Sequence, residues 1–226
     1  MKLETRNFTV NFKSKIILDN INFKIEKGEK VFLLGHNGAG KSTFAKALMG
    51  LISFEGKILF NNKEISSKTD WLNYYKHVNY VFQNVNEQLF LPTVIDELIF
   101  GPINFGYSIK EAKSLAKYYL KYFEIEHLEN TYIHELSGGE KRLVALCSIL
   151  TFQPDIIILD EPTNDLDKKN LEKFLNFLKH TDQGILLITH HNFIIKSFCS
   201  WKKYYLKDGK LLDISEEKNK KLIQPL

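Results

Sequence analysis

Four apolar residues, Val31 to Leu34, run directly into GHNGAGKST (35–43), and this junction constrains the chain more than any other stretch. A short, wholly apolar run ending at a glycine reads as a strand buried on both faces, the kind found in parallel sheets. The pattern G-x-x-x-x-G-K-[ST] follows at once, and a helix is predicted from about Lys41 to Leu51. Strand, glycine-rich turn and helix start together make a phosphate cradle. Glycines let backbone N–H groups close on an anion, and the helix N-terminus adds partial positive charge. The cradle comprises Gly35, His36, Asn37, Gly38, Ala39, Gly40, Lys41, Ser42 and Thr43. Lys41 is placed to reach the β- and γ-phosphates of a nucleotide, and Ser42 to bind Mg²⁺. A mere strand–helix turn would need neither the ammonium nor the hydroxyl.

A second apolar run, IIILDE (156–161), ends in two acids. An aspartate at the C-terminal end of such a strand suits the Mg²⁺ shell, which is the place of Asp160. Glu161 points elsewhere and can polarise an attacking water. LSGGE (136–140) reads as a helix start in which Ser137 caps and Glu140 completes an S-x-x-E box. The same exposed N-terminus suits an anion.

Further strands are expected at Gly56–Phe60, Val78–Phe82 and Ile185–Thr189, alternating with a helix at Lys168–Lys179. The first 35 or so residues alternate apolar and polar side chains, as half-buried strands do. The middle, about 84–151, reads as helical, with a Ser108/Glu111 capping box opening one helix. A hairpin turning at Asp208-Gly209 closes the pattern. The chain therefore reads as one domain spanning 1–226. Its α/β core covers about 1–83 and 152–213, a helical subdomain is inserted at about 84–151, and a charged tail occupies 214–226.

Composition narrows the function. The net charge is +4, and Arg6 and Arg142 are the only arginines. Nucleic-acid readers lean on arginine's bidentate fork, so no nucleic-acid partner is expected. Cys147 and Cys199 can build neither a disulfide framework nor a zinc cluster. No secretory signal is visible, and no apolar run is long enough to span a bilayer.

GHNGAGKST, Gln83, LSGGE, IIILDE, NDLD (164–167) and ITHH (188–191), in this order, resemble the nucleotide-binding subunit of an ATP-binding cassette transporter. The likeness covers nearly the whole chain. It implies a P-loop NTPase fold with a RecA-like core, an N-terminal antiparallel β subdomain and an inserted α-helical subdomain. It implies ATP and Mg²⁺, and a head-to-tail dimer in which Ser137, Gly138, Gly139 and Glu140 close the partner's phosphate site. By the same resemblance Gln83 senses Mg²⁺ and the γ-phosphate, His190 is the switch histidine, and Asp167 belongs to a loop crossing the dimer. Phe12 sits where an aromatic side chain stacks on adenine, although it also continues the Phe8/Val10 face and so reads equally as core. The catalytic set is then Glu161, His190, Gln83 and Lys41, with Ser42, Gln83 and Asp160 around the metal. Three positions depart from the family pattern: Glu140 replaces the commoner Gln, Asp165 a small residue and His191 an acid. A carboxylate near a triphosphate is repulsive, so Glu140 is expected to fold back into its cap.

The segment 83–102 carries subclass information. Gln83-Asn84, Glu87-Gln88-Leu89-Phe90, Pro92-Thr93-Val94 and Phe100-Gly101-Pro102 resemble the energy-coupling-factor importers of vitamins or of cobalt and nickel ions. That resemblance implies a second ATPase subunit, in a homodimer or heterodimer, together with an integral membrane coupling subunit and a cargo-binding subunit. It implies a peripheral location on the cytoplasmic face of the cell membrane. Leu89, Phe90, Leu91, Ile99 and Phe100 are many apolar groups for a free loop and suit a groove that receives a helix. The alternative is a soluble single-cassette ATPase, for example in cluster assembly, without a membrane partner.

Overall fold

The computed structural model describes residues 1–13 and 15–215. In chain order it opens with β1 (Lys2–Phe12), β2 (Lys15–Glu26), β3 (Lys30–Leu34), α1 (Lys41–Leu48), β4 (Glu55–Phe60) and β5 (Lys63–Glu64). Next come α2 (Lys68–His77), β6 (Val78–Val81), α3 (Val94–Asn104), α4 (Ile109–Tyr122) and α5 (Gly138–Leu150). The chain continues through β7 (Ile156–Asp160), α6 (Lys168–His180), β8 (Gly184–Ile188), α7 (Asn192–Ser197), β9 (Lys202–Lys207) and β10 (Lys210–Asp213). The chain divides into two compact units.

The first unit holds Met1–Tyr80, Asp155–Glu161 and the chain from Gln183 onward. A four-stranded sheet in the order β2-β1-β4-β5 is antiparallel throughout. β1 buries Leu3 and Thr5, then Phe8 and Val10, alternating with more exposed residues on either side of a register shift between Thr5 and Phe8. A six-stranded sheet follows the order β10-β9-β3-β8-β7-β6, with β9, β3, β8 and β7 parallel. β7 and β8 are buried at every position, which explains why their sequences are unbroken apolar runs. The register places Leu33 and Asp160 each opposite Ile188. The C-terminal ends of β3, β8 and β7 therefore stand in one row, where parallel sheets gather their sites.

The hairpin expected at Asp208-Gly209 forms between β9 and β10. α1 ends at Leu48, a turn earlier than its apolar residues suggest, and Gly50 follows at φ 67°. Of the expected tail, Ile214 is buried and donates its N–H to Lys203 O at 2.9 Å, whereas 216–226 lie outside the described residues.

The second unit holds Val81–Pro154 and Pro162–Asp182, and so takes in α6. α4 and α5 open with reciprocal capping boxes, Ser108/Glu111 and Ser137/Glu140, and Asp167 caps α6. α5 is buried along most of its length, so its apolar content is not confined to one stripe. In the segment before α3, Glu97 Oε2 accepts from the N–H groups of Phe90 and Leu91 at 3.0 and 2.9 Å. Gln88 accepts from Phe82 N at 3.1 Å and donates to Ala145 O at 2.8 Å. These bonds strap the loop in place. Leu89 is buried, while Phe90 is 67% exposed and meets the exposed Phe100 edge-on at 5.3 Å. The apolar residues of this segment thus divide by face.

Candidate active site

In the first unit, β3 delivers the chain to the glycine-rich turn. A Cβ on Gly35 would stand 2.6 Å from Leu206 O, so only glycine lets the backbone turn there. Gly40 caps α1 in the left-handed region, φ 100°, and frees the first helical N–H groups to face the turn. Lys41 reaches back over it: Nζ donates to Gly35 O at 2.8 Å and His36 O at 3.0 Å. The ammonium thus sits inside the loop with its charge held by two carbonyls. Burial lowers its pKa, opposed by the nearby Glu161 and Asp160 carboxylates.

Asp160 ends β7 with no exposed surface. Tyr80 donates its hydroxyl to Asp160 Oδ2 at 2.9 Å, while Oδ1 has no hydrogen-bond partner among the described residues. Burial raises the Asp160 carboxyl, against the lowering effect of the Ser42 and Tyr80 hydroxyls. A hydroxyl and a carboxylate with an open oxygen form an oxygen-only donor set, which suits Mg²⁺.

Glu161 is 6% exposed and adopts φ 46°, a left-handed backbone that a glutamate rarely takes. Its N–H is tied to Ile188 O at 3.0 Å, which helps hold that conformation. Oε1 lies 2.9 Å from His190 Nδ1, and Oε2 is buried without a hydrogen-bond partner among the described residues. His190 follows β8 by two residues, with its side chain 57% exposed. A carboxylate oriented by an imidazole and open on its second oxygen is equipped to take a proton from water. Phe12 is 67% exposed although Phe8 and Val10 are buried, which removes the reading of Phe12 as core.

The structure thus brings together Lys41, Ser42, Asp160, Glu161 and His190 in one unit. Gln83, Ser137, Gly138, Gly139, Glu140 and Asp167 belong to the other. There the Glu140 carboxylate folds back as expected: Oε2 accepts from Ser137 N at 2.8 Å and Ser137 Oγ at 2.6 Å. Those bonds, the hydroxyl's first, hold its pKa below the usual carboxylate range. Gly138 and Gly139 pack against Asp165, where any Cβ would stand 3.1 Å from the Asp165 Cβ or 3.0 Å from its carbonyl oxygen.

Two contributors escape sequence reasoning. Tyr80 bonds Asp160, and Arg142, 4% exposed, donates through Nη1 to Phe82 O and Gln83 O at 3.0 and 2.9 Å. Its Nη2 also lies 3.6 Å from Asp165 Oδ2. The scarcity of arginine in this chain was the one available signal.

Fold and site define a P-loop nucleoside triphosphatase built on a parallel sheet. Residues 18–164 match the ABC transporter family, and the chain belongs to it. The energy-coupling factor transporter ATP-binding protein EcfA of Methanococcus maripaludis is 38% identical over 215 residues, covering 93% of this chain and 77% of that one. The solved structure of cbiO1 from Clostridium perfringens, part of the ABC transporter complex cbiONQ, superposes with a TM-score of 0.79 at 31% identity, covering 93% and 86%. A dimeric ATP-binding cassette in a post-hydrolysis state, bound to ADP and Pi, matches with a TM-score of 0.81 at 26% identity, covering 94% and 98%. The chain is an ATP-hydrolysing cassette subunit of a transporter.

Proposed function

We propose that this ATPase powers an importer of the energy-coupling-factor type, with a transition-metal ion such as cobalt or nickel, or a vitamin, as cargo. One observation carries the reading: Phe90, on the loop that Glu97 and Gln88 bond in place, and Phe100 of α3 form an exposed aromatic pair. A prepaid, ordered apolar surface is what a docking helix of a membrane subunit needs. The likeness to EcfA and cbiO1 supports it. No helix among the described residues is long and apolar enough to cross a membrane. In this reading the cassette meets its membrane subunits from the cytoplasmic side.

The roles follow from the site. The chain acts as one ABC ATPase domain. Lys41 and the turn 35–43 hold the triphosphate, and Phe12, freed from the core, stacks on adenine. Ser42, Asp160 and Gln83 hold Mg²⁺, which screens phosphate charge when bound. Glu161 takes the proton of the attacking water, and His190 orients Glu161 and faces the γ-phosphate. Ser137 to Glu140 close the site of a second subunit in a head-to-tail dimer, and Asp167 lies on the crossing loop. The dimeric cassette cited above supports a dimer.

The test is affinity purification of tagged protein from detergent-solubilised membranes. Integral membrane proteins at stoichiometric level, a coupling subunit and a cargo-binding subunit, are the expected result. Purely soluble partners would reject the importer and favour a soluble cassette ATPase.

A further inference from the structure

A second, chemically different donor set lies beside the proposed Mg²⁺ position. Glu161, His190 and His191 each offer one ligand atom, and the three lie within 4.8 Å of one another. The two imidazoles lie 4.3 Å apart between ring centroids, tilted by 32°. His190 is exposed and His191 half-buried, which leaves a path from solvent, while Glu161 forms the buried floor. Glu161 Oε1 lies 2.9 Å from His190 Nδ1, and Oε2 is a buried acceptor without a hydrogen-bond partner among the described residues.

Mg²⁺ demands oxygen ligands and dehydrates reluctantly. Two imidazoles and one carboxylate suit Zn²⁺ and its borderline neighbours instead. Zn–N and Zn–O bonds of about 2.0–2.2 Å place tetrahedral ligand atoms about 3.4 Å apart, so small rotations of His190 and His191 would complete three corners and leave the fourth to water. We infer that Glu161, His190 and His191 form an inhibitory site for a divalent transition metal of the zinc type, separate from the magnesium position. Occupancy ties the Glu161 carboxylate to the metal through one oxygen, which lowers its basicity toward water, and breaks its bond to His190. A rising free metal concentration therefore stops ATP hydrolysis without displacing Mg²⁺. The binding site stands on geometry alone, whereas its inhibitory effect rests on the role proposed above for Glu161.

The experiment uses the full-length chain. Zn²⁺ binding to nucleotide-free protein is measured by titration calorimetry, and Mg²⁺-dependent ATP hydrolysis is followed against free Zn²⁺ in parallel. The comparison variant is His191→Ala, with His191→Gln as a bulkier control. The His191 side chain makes no capping bond to α7, so both variants keep the helix start. Loss of an outer-shell partner alone costs about 10–100-fold in metal affinity, so loss of a ligand should weaken Zn²⁺ binding and raise its half-inhibitory concentration at least about tenfold. Basal hydrolysis is expected to persist in both variants. Equal Zn²⁺ affinity in wild type and variants would overturn the site. Binding that is lost in the variants but never inhibits wild type would overturn the inhibitory role, while the role of Glu161 is decided separately by the hydrolysis rate of Glu161→Gln.

Discussion

Asp160 shows how one residue carries a cost that only its ligand removes. It is fully buried, one oxygen has no hydrogen-bond partner among the described residues, and burial raises its pKa. A carboxyl raised in the fold contributes stability that is complete below the unfolded value of about 4 and is lost as pH rises past the raised folded value. Above that range the buried carboxylate of the nucleotide-free protein is a destabilising charge. Asp160→Asn should raise its melting temperature at pH 7, with the gain shrinking as pH falls toward 4, while Mg²⁺-dependent hydrolysis collapses. Scanning calorimetry at both pH values checks this; a lowered melting temperature at pH 7 would refute it. Glu161 is a neighbouring case. Its φ of 46° is strain of about 1–3 kcal/mol that the surrounding structure must hold, as found at functional sites.

At the scale of elements, α5 does more than present a capped N-terminus. Through Arg142 it grips the carbonyls of Phe82 and Gln83, where the chain leaves β6. The guanidinium satisfies two backbone acceptors with one fixed group, which the point charge of a lysine does less well. Arg142→Met should strand those carbonyls and cost about 1–3 kcal/mol, read as a lower urea midpoint at unchanged slope. Arg142→Lys should recover less than half of that loss; full recovery would mean charge alone matters. The capping boxes at Ser108 and Ser137 were legible because cap and partner are three residues apart. α2 was not, although Ser67 and Asp70 make the same box, because its ten residues bury only Tyr74 and so carry little helical periodicity.

For the whole molecule the governing expectation is association driven by ATP. If two chains enclose two nucleotides, binding should hold them together and hydrolysis should release them. Glu161→Gln keeps the size of the side chain and removes the proton acceptor. It should slow hydrolysis about 10²–10⁴-fold and leave ATP binding intact. With Mg²⁺ and ATP the variant should run as a dimer in size-exclusion chromatography with light scattering, while wild type returns to monomer as ATP is consumed. Hydrolysis at the wild-type rate would remove Glu161 from its role, and a variant that stays monomeric would reject the ATP-bound dimer.

The sequence by itself determined the elements whose information is local. The apolar runs before Gly35 and Asp160 marked buried parallel strands, and the fixed spacing of GHNGAGKST and S-x-x-E marked helix starts, since each depends on residues a few positions apart. Tertiary structure alone decided what depends on distant partners. It brought Tyr80 onto Asp160, 80 positions away, and Arg142 onto Gln83, 59 positions away. It also left Phe12, the last residue of β1, exposed while Phe8 and Val10 are buried, in a strand pair whose register shifts three times along its length. Periodicity predicts which face a side chain takes only while the register holds.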